Sequence, residues 1–195
     1  ACSAPEGTVM QGFGAKMARF YGLPSRGGGS QTHAPVGNAQ AGYESMLTCY
    51  SAYRHGINLV MEAGGVVASV NATSIDKMIC DFEIIRQVKT AFKPLEVNEE
   101  TLDLTEIKEV GHDGSFLTTD YTLDHFMDLY IPRIGSRNAQ SPTYFEDSID
   151  KEVNRLLKAY EAHRPSMDAA VLEQVKAVFA DAGVPASRLE AIVAL

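Results

Sequence analysis

Short apolar segments alternate with amphipathic helices along the first half of this 195-residue chain, and this order limits its fold more than any other feature. Ile57–Met61 is a brief apolar run that ends in Glu62-Ala63-Gly64-Gly65. Residues 74–92 then carry apolar side chains at helical spacing, and Thr73-x-x-Asp76 has the spacing of a capping box. A short buried strand followed by a helix is typical of parallel sheets.

The same unit occurs earlier in the chain. We predict a helix over residues 8–21, where Val9, Phe13 and Phe20 recur at helical spacing, and another over residues 38–55. Between them, Leu23-Pro24-Ser25 leads into the glycine-rich segment at residues 26–30. The order strand, helix, strand, helix predicts parallel strands joined by crossover helices.

After Pro94 the pattern changes. The sequence predicts a helix over residues 98–110, a further short strand at Phe116–Thr118 and a helix over residues 122–130. Amphipathic helices are predicted at residues 151–163, 167–182 and 185–194.

Charge and cysteine content exclude several classes of protein. The 25 acidic residues outnumber the 17 Lys and Arg, which argues against nucleic acid or an anionic membrane as the main partner. No window approaches the ~18 apolar residues of a membrane span. Cys2, Cys49 and Cys80 form no C-x-x-C pair, so we expect no metal site and reduced thiols in a cytoplasmic protein.

An ordered set of segments carries a resemblance to a known family. Arg19–Ser25 is followed by glycines, and Gln40-Ala41-Gly42-Tyr43-Glu44 opens a helix. The set continues through Glu83-Ile84-Ile85, Val97–Leu102, Glu109-Val110-Gly111, Gly114-x-Phe116-Leu117, Thr122-Leu123-x-His125-Phe126 and residues 132–138. Together these segments resemble the C-terminal portion of the trimethylamine methyltransferase family.

The resemblance implies an α/β fold, namely the C-terminal part of a (β/α)8 TIM barrel with parallel strands and extra C-terminal helices. Residues 1–140 would be a partial barrel, and residues 141–195 a helical extension packed on it. Because family members are much longer than this chain, we expect a fragment in which residues 1–6 end a mid-barrel strand.

The resemblance also implies the reaction. The family transfers a methyl group from a methylated amine to the Co(I) corrinoid of a separate carrier protein. We therefore expect a corrinoid carrier and a small methylated amine as partners, no directly bound cofactor, and a homo-oligomer.

The identity of the methylated amine is a separate question. The family's trimethylamine enzyme uses pyrrolysine, whereas residues 31–38 depart from the family pattern and all residues here are standard. Either this chain is a relative that acts on a quaternary amine such as a betaine, or the special residue lies outside this piece. Chemistry favours the first, since a quaternary amine leaves as a neutral amine without activation.

Barrel enzymes act at the carboxyl ends of strands, which here include residues 3–6, 26–33, 62–65 and 118–121. Glu62 could hold a cationic amine, or form only a salt bridge or helix cap. Tyr121 could form one wall of an aromatic cage for a cation, or it could have only a packing role. Arg26 and His33 could bind a substrate carboxylate, although His33 could also be a solvated loop residue.

The remaining candidates are scaffold residues, and no catalytic residue is assigned. Gly27, Gly28 and Gly29 shape the loop and could alternatively cradle a phosphate. Gln40 and Glu44, one helical turn apart, would tie the next helix to this loop, and Gly64 and Gly65 form the second turn.

Two carboxylates and one histidine have ordinary roles in this interpretation. Asp81 and Glu83 occupy a crossover helix, where solvent or interface contacts are expected, and His125 has a core or capping role.

Two other functions stay open. The chain could be a catalytically silent half-barrel or binding module that self-associates through its exposed edges. It could also be an unrelated barrel enzyme that binds a phosphorylated substrate at the glycine loop.

Overall fold

The computed structural model describes residues 2–136, 144–164 and 167–193, with the backbone alone at 191–193. Its residues group into two compact units, Ala1–Asn154 and Arg155–Leu195. The family segment at residues 137–138 and the predicted helix end at Ala194 lie outside the described residues. The predicted arrangement of residues 1–140 and 141–195 stays a prediction.

The first helix, α1, runs from Pro5 to Phe20. The expectation that residues 1–6 end a strand is wrong for the described residues 2–6, because Pro5 occupies the start of the helix. Proline is well placed there, since the first helical N–H groups have no partner within the helix. Helix α1 packs on the protein through small residues, whereas the predicted apolar residues Val9, Phe13 and Phe20 face outward.

The predicted strand–helix–strand unit is confirmed. Strand β1 (Arg26–Gly28) is followed by α2 (Ala39–Arg54) and β2 (Leu59–Met61). The strands pair in parallel, with Arg26 opposite Leu59 and Gly28 opposite Met61. The Asn38 side chain caps α2 by accepting a hydrogen bond from Ala41 N. The described residues are therefore mixed helix and sheet, consistent with an α/β fold.

A small hairpin follows β2 that the sequence does not predict. Strands β3 (Val66–Val67) and β4 (Ala72–Thr73) are antiparallel. The backbone at Ala68–Val70, in the tip, is left-handed. The tip contacts the loop after β1, because Ala68 N and Ser69 N donate to carbonyls in that loop at 2.8 and 3.0 Å.

Helix α3 (Ile75–Ala91) begins one residue later than the capping box predicts. The Ser74 hydroxyl, rather than that of Thr73, accepts from Lys77 N. The expectation that Asp81 and Glu83 meet solvent or an interface is wrong, because both are buried. Burial is tolerated because each carboxylate has a basic partner, Lys77 for Asp81 and Arg86 for Glu83.

Local hydrogen bonds shorten one other predicted element and replace a second. Asn98 accepts from Thr101 N through its side chain and forms a turn, so the helix α4 is confined to Thr105–Val110. The predicted strand at Phe116–Thr118 is a turn of 3₁₀-helix, because the Ser115 hydroxyl accepts from Leu117 N. Helix α5 (Asp120–His125) and a 3₁₀ turn at Phe126–Asp128 follow.

The apolar core of the first unit lies on α3. Cys49, Ile84 and Val88 form one buried cluster between α2 and α3. Ile79 forms a second cluster with Ile134 and Ile149. The later helices are α6 (Phe145–His163), α7 (Ala169–Asp181) and α8 (Ala186–Val193). Among the described residues no helix has the length and apolarity needed to cross a bilayer.

Candidate functional site

A cavity of about 800 Å³ opens beside the carboxyl ends of β1 and β2. Helix α1, the two strand ends and the hairpin tip all contribute to its wall. The lining residues are Cys2, Ala4, Glu6, Gly7, Met10, Gln11, Arg26, Gly28, Gln31, Glu62 and Val70. The cavity thus carries two carboxylates and one guanidinium on a largely uncharged wall.

Arg26 and Glu62, two of the predicted substrate-binding residues, meet in this cavity. The expectation that Arg26 follows the carboxyl end of a strand is wrong, because Arg26 is the first residue of β1 and only its side chain extends to Glu62. Arg26 Nη2 lies 3.2 Å from Glu62 Oε1, and the two side chains are 60% and 27% exposed. Arg26 Nε also donates to the sulfur of Met61 at 3.1 Å. Glu62 has φ 49°, a left-handed backbone that few non-glycine residues adopt and that clusters at functional sites. The salt bridge that the sequence leaves open for Glu62 is therefore present, within a cavity.

Gln31 and Gln11 complete the polar wall, and the sequence does not single out either. Gln31 Nε2 donates to Glu62 Oε2 at 3.3 Å, so both oxygens of this carboxylate have a donor. Gln11 Nε2 donates to Gly28 O at 2.8 Å and thereby ties α1 to β1. In sequence each of them is only a single amide side chain in its segment, a signal that is too common to identify a site.

The glycine-rich loop keeps the two strand ends close. Gly29 N donates to Met61 O at 2.8 Å, and a Cβ on Gly29 would lie 2.9 Å from the Cα of Ala63. A side chain at Gly29 would force this contact to open. Gly29 N and Gln31 N both donate within the protein, which disfavours the alternative of a phosphate cradle here.

The second turn, at Gly64 and Gly65, joins β2 to α3. Gly65 has φ 77°, and its N–H donates to Asp81 Oδ2 at 2.7 Å. Its carbonyl accepts from Ser74 N at 2.8 Å. Both backbone groups of Gly65 are therefore hydrogen-bonded, one to the residue that caps α3 and the other to a side chain in its second turn.

Glu44 organises the loop that leads from β1 into α2. Its carboxylate accepts from Thr32 Oγ1 at 2.6 Å, His33 N at 2.8 Å and Gln40 Nε2 at 3.0 Å. Burial opposes ionisation of Glu44, but these hydrogen bonds outweigh it and hold its pKa below the ordinary value. The predicted role of Gln40 and Glu44, tying α2 to the loop, matches these contacts.

His33 and Tyr121 lie apart from the cavity lining. His33 Nδ1 is 3.9 Å from Glu44 Oε1, so this side chain faces α2. Tyr121 stacks on His125 with ring centroids 4.4 Å apart, and its N–H donates to Glu106 Oε1. Within the described part of the chain the cavity wall includes no aromatic side chain. A cation there would be held by carboxylates rather than by an aromatic cage.

Replacing Glu44 by Gln tests its structural role. A lowered folded-state pKa gives stability that is present above the ordinary value of 4.5 and lost as pH falls through the folded pKa. We expect Glu44→Gln to reduce the free energy of unfolding at pH 7 by roughly 1–3 kcal/mol, because charge-assisted hydrogen bonds are lost. Urea titrations should show this deficit shrinking below about pH 4. The exposed Glu99→Gln variant is the control, and an equal deficit at pH 3 and pH 7 would contradict this role.

Comparisons with known proteins identify the family. The model of the family described as trimethylamine methyltransferase matches residues 1–182. The chain is 31% identical over 183 residues to a glycine betaine methyltransferase of Desulfitobacterium hafniense (strain Y51), covering 83% of this chain and 38% of that protein. It is 29% identical over 181 residues to the trimethylamine methyltransferase MttB2 of Methanosarcina mazei, covering 90% and 36%.

The chain also matches the trimethylamine methyltransferase MttB of Methanosarcina thermophila over a shorter stretch. The two are 34% identical over 119 residues, which cover 61% of this chain and 24% of that protein. The chain thus spans less than two-fifths of the length of these relatives. The family model nevertheless extends over nearly the whole chain. This chain belongs to the trimethylamine methyltransferase family.

Proposed function

We propose that this chain contributes the C-terminal part of a (β/α)8 barrel enzyme that moves a methyl group from a quaternary amine to a Co(I) corrinoid. The parallel β1–α2–β2 unit supports the barrel, since such units build it. Family membership supports methyl transfer from a methylated amine. The corrinoid would be a substrate carried by a separate partner protein, in the cytoplasm.

The observation that carries this proposal is the Arg26–Glu62 pair in the cavity at the strand ends. A partly exposed ion pair contributes little to stability, so a ligand with complementary charges can replace it at low cost. Glycine betaine is such a ligand. Its carboxylate would bind the Arg26 guanidinium, and its trimethylammonium group would lie against Glu62, with Glu6 adding negative charge to the same wall.

The proposed reaction needs no proton from the protein. The Co(I) electron pair forms a bond to one methyl carbon, the carbon–nitrogen bond breaks, and its electron pair leaves with the neutral tertiary amine. Because the positive charge on nitrogen disappears during the step, Glu62 favours the bound substrate more than the transition state. Glu62 therefore contributes to affinity, while the cavity holds the methyl carbon in line for attack.

Two ligands separate the roles of Arg26 and Glu62. Glycine betaine has both charges, whereas tetramethylammonium has only the positive one. We expect Glu62→Gln to lower the affinity for both ligands roughly tenfold, since a charge-assisted contact is lost. Isothermal titration calorimetry measures both affinities. Arg26→Met should weaken the binding of glycine betaine but strengthen that of tetramethylammonium, because it removes the cationic partner of Glu62 and leaves only the Gln31 amide.

The exposed variant Glu109→Gln is the control and should bind both ligands like the unmodified chain. The proposal fails if the unmodified chain binds neither ligand, or if Glu62→Gln leaves both affinities unchanged.

A second candidate function, a self-associating binding module, is favoured by the outer face of α1. Val9, Phe13 and Phe20 are 69%, 58% and 78% exposed there, which is unusual for large apolar side chains that recur along one helix. We expect light scattering after size exclusion to show a dimer, and the Val9→Lys/Phe13→Lys variant to be monomeric. Phe179→Lys, at an exposed position on α7, is the control. A monomer for the unmodified chain would refute this candidate.

A further inference from the structure

A buried ion pair on α3 lies behind the candidate site. Lys77 and Asp81 are one helical turn apart, with Nζ 2.5 Å from Oδ2, and their side chains are only 2% and 1% exposed. Two charges removed from water at this depth need close partners, and a pair that loses one member is strongly destabilised. Neither residue lines the cavity that contains Arg26 and Glu62. Any effect of this pair on that site must be indirect.

The pair bridges the two loops that leave the strand ends. Lys77 Nζ donates to Ser30 O at 2.8 Å, in the loop after β1. Asp81 Oδ2 accepts from Gly65 N at 2.7 Å, in the turn after β2. The parallel ladder itself extends no further than the hydrogen bond from Gly29 N to Met61 O. Beyond that point the Lys77–Asp81 bridge links the loops directly.

Each loop carries one member of a contact in the cavity wall. Gln31 directly follows Ser30, and Glu62 lies three residues before Gly65. The Gln31 amide donates to Glu62 Oε2 at 3.3 Å, the long end of hydrogen-bond distances. A small separation of the loops would therefore break this contact.

We infer that Lys77 and Asp81 are positioning residues, whose buried pair sets the distance between the two loops and so places Glu62 beside Gln31 and Arg26. The affinity part of this inference rests on the proposed function, since it assumes that a quaternary amine binds at Glu62. The geometric part, the Gln31–Glu62 contact, does not depend on any ligand.

The test replaces the whole pair. Lys77→Met alone would leave the Asp81 carboxylate buried without its partner, and the chain would then risk unfolding. The Lys77→Met/Asp81→Leu variant exchanges both charges for apolar groups, a change that folded proteins often tolerate. Lys176→Met is the control, because it removes a partly exposed lysine that pairs with Glu173 at 2.8 Å, far from full burial. Circular dichroism verifies that each variant is folded.

Two measurements are made on the folded variants. In ¹H–¹⁵N correlation spectra, the Gln31 side-chain amide of the double variant should move toward its position in Glu62→Gln, where the charged acceptor is absent. Glycine betaine affinity should fall roughly tenfold in the double variant and stay unchanged in Lys176→Met.

The two claims fail separately. If the unmodified chain binds no glycine betaine, the proposed function fails while the Gln31 resonance still decides the positioning role. A folded double variant whose Gln31 amide resonances match those of the unmodified chain would overturn the inference.

Discussion

The parallel pairing of β1 with β2 is the contact on which the candidate site depends. It comprises only three residue pairs, extended by the hydrogen bond from Gly29 N to Met61 O. This pairing sets β1 beside β2, so that the side chains of Arg26, the first residue of β1, and Glu62, the residue after β2, meet although they are 36 residues apart in sequence. Because so short a ladder fixes little beyond itself, the loops that follow it need further attachment. Glu44 holds the loop after β1, and Gly65 fixes the turn after β2.

Buried polar and charged side chains, and not only apolar ones, pack around α3. The buried residues of α3 include Lys77, Asp81 and Glu83 as well as Ile79 and Val88. Burial raises the pKa of Asp81, and the Lys77 ammonium offsets this. Burial also raises the pKa of the neighbouring Cys80 thiol to about 11, and Asp81 adds to that rise. The core next to the site is therefore specified by pairing of charges as much as by shape.

Hydrophobic periodicity predicts the order of the main elements but not which face is buried. The β1–α2–β2 unit follows from apolar runs and glycine punctuation, which are local signals. The burial of Asp81 depends on Lys77 and on Gly65, which is brought close only by the fold. The outward position of Phe13 depends on small residues of α1 that pack inward instead, which periodicity alone does not distinguish.

In the candidate site, too, features set by local sequence signals are predictable and those set by distant contacts are not. The position of Glu62 is predictable, because functional residues of α/β folds lie at the carboxyl ends of strands. Arg26 begins β1, and its contact with Glu62 brings its side chain into the site. A role for Tyr121 at a strand end requires the predicted strand at Phe116–Thr118, and this segment is instead a turn of 3₁₀-helix capped by Ser115. Gln11 and Gln31 were not predictable, since their roles come from one contact each with a distant backbone or carboxylate.

The most direct test of the central claim is where a quaternary amine contacts this chain. Nuclear Overhauser effects from the N-methyl protons of glycine betaine report contacts within a few ångströms. If a quaternary amine binds at Glu62, these effects should connect its methyl protons to Met10, Gln31 and Val70, which line the cavity beside Glu62. Contacts confined instead to Met46 and Ile84, which line a separate cavity of about 450 Å³ between α2 and α3, would contradict it.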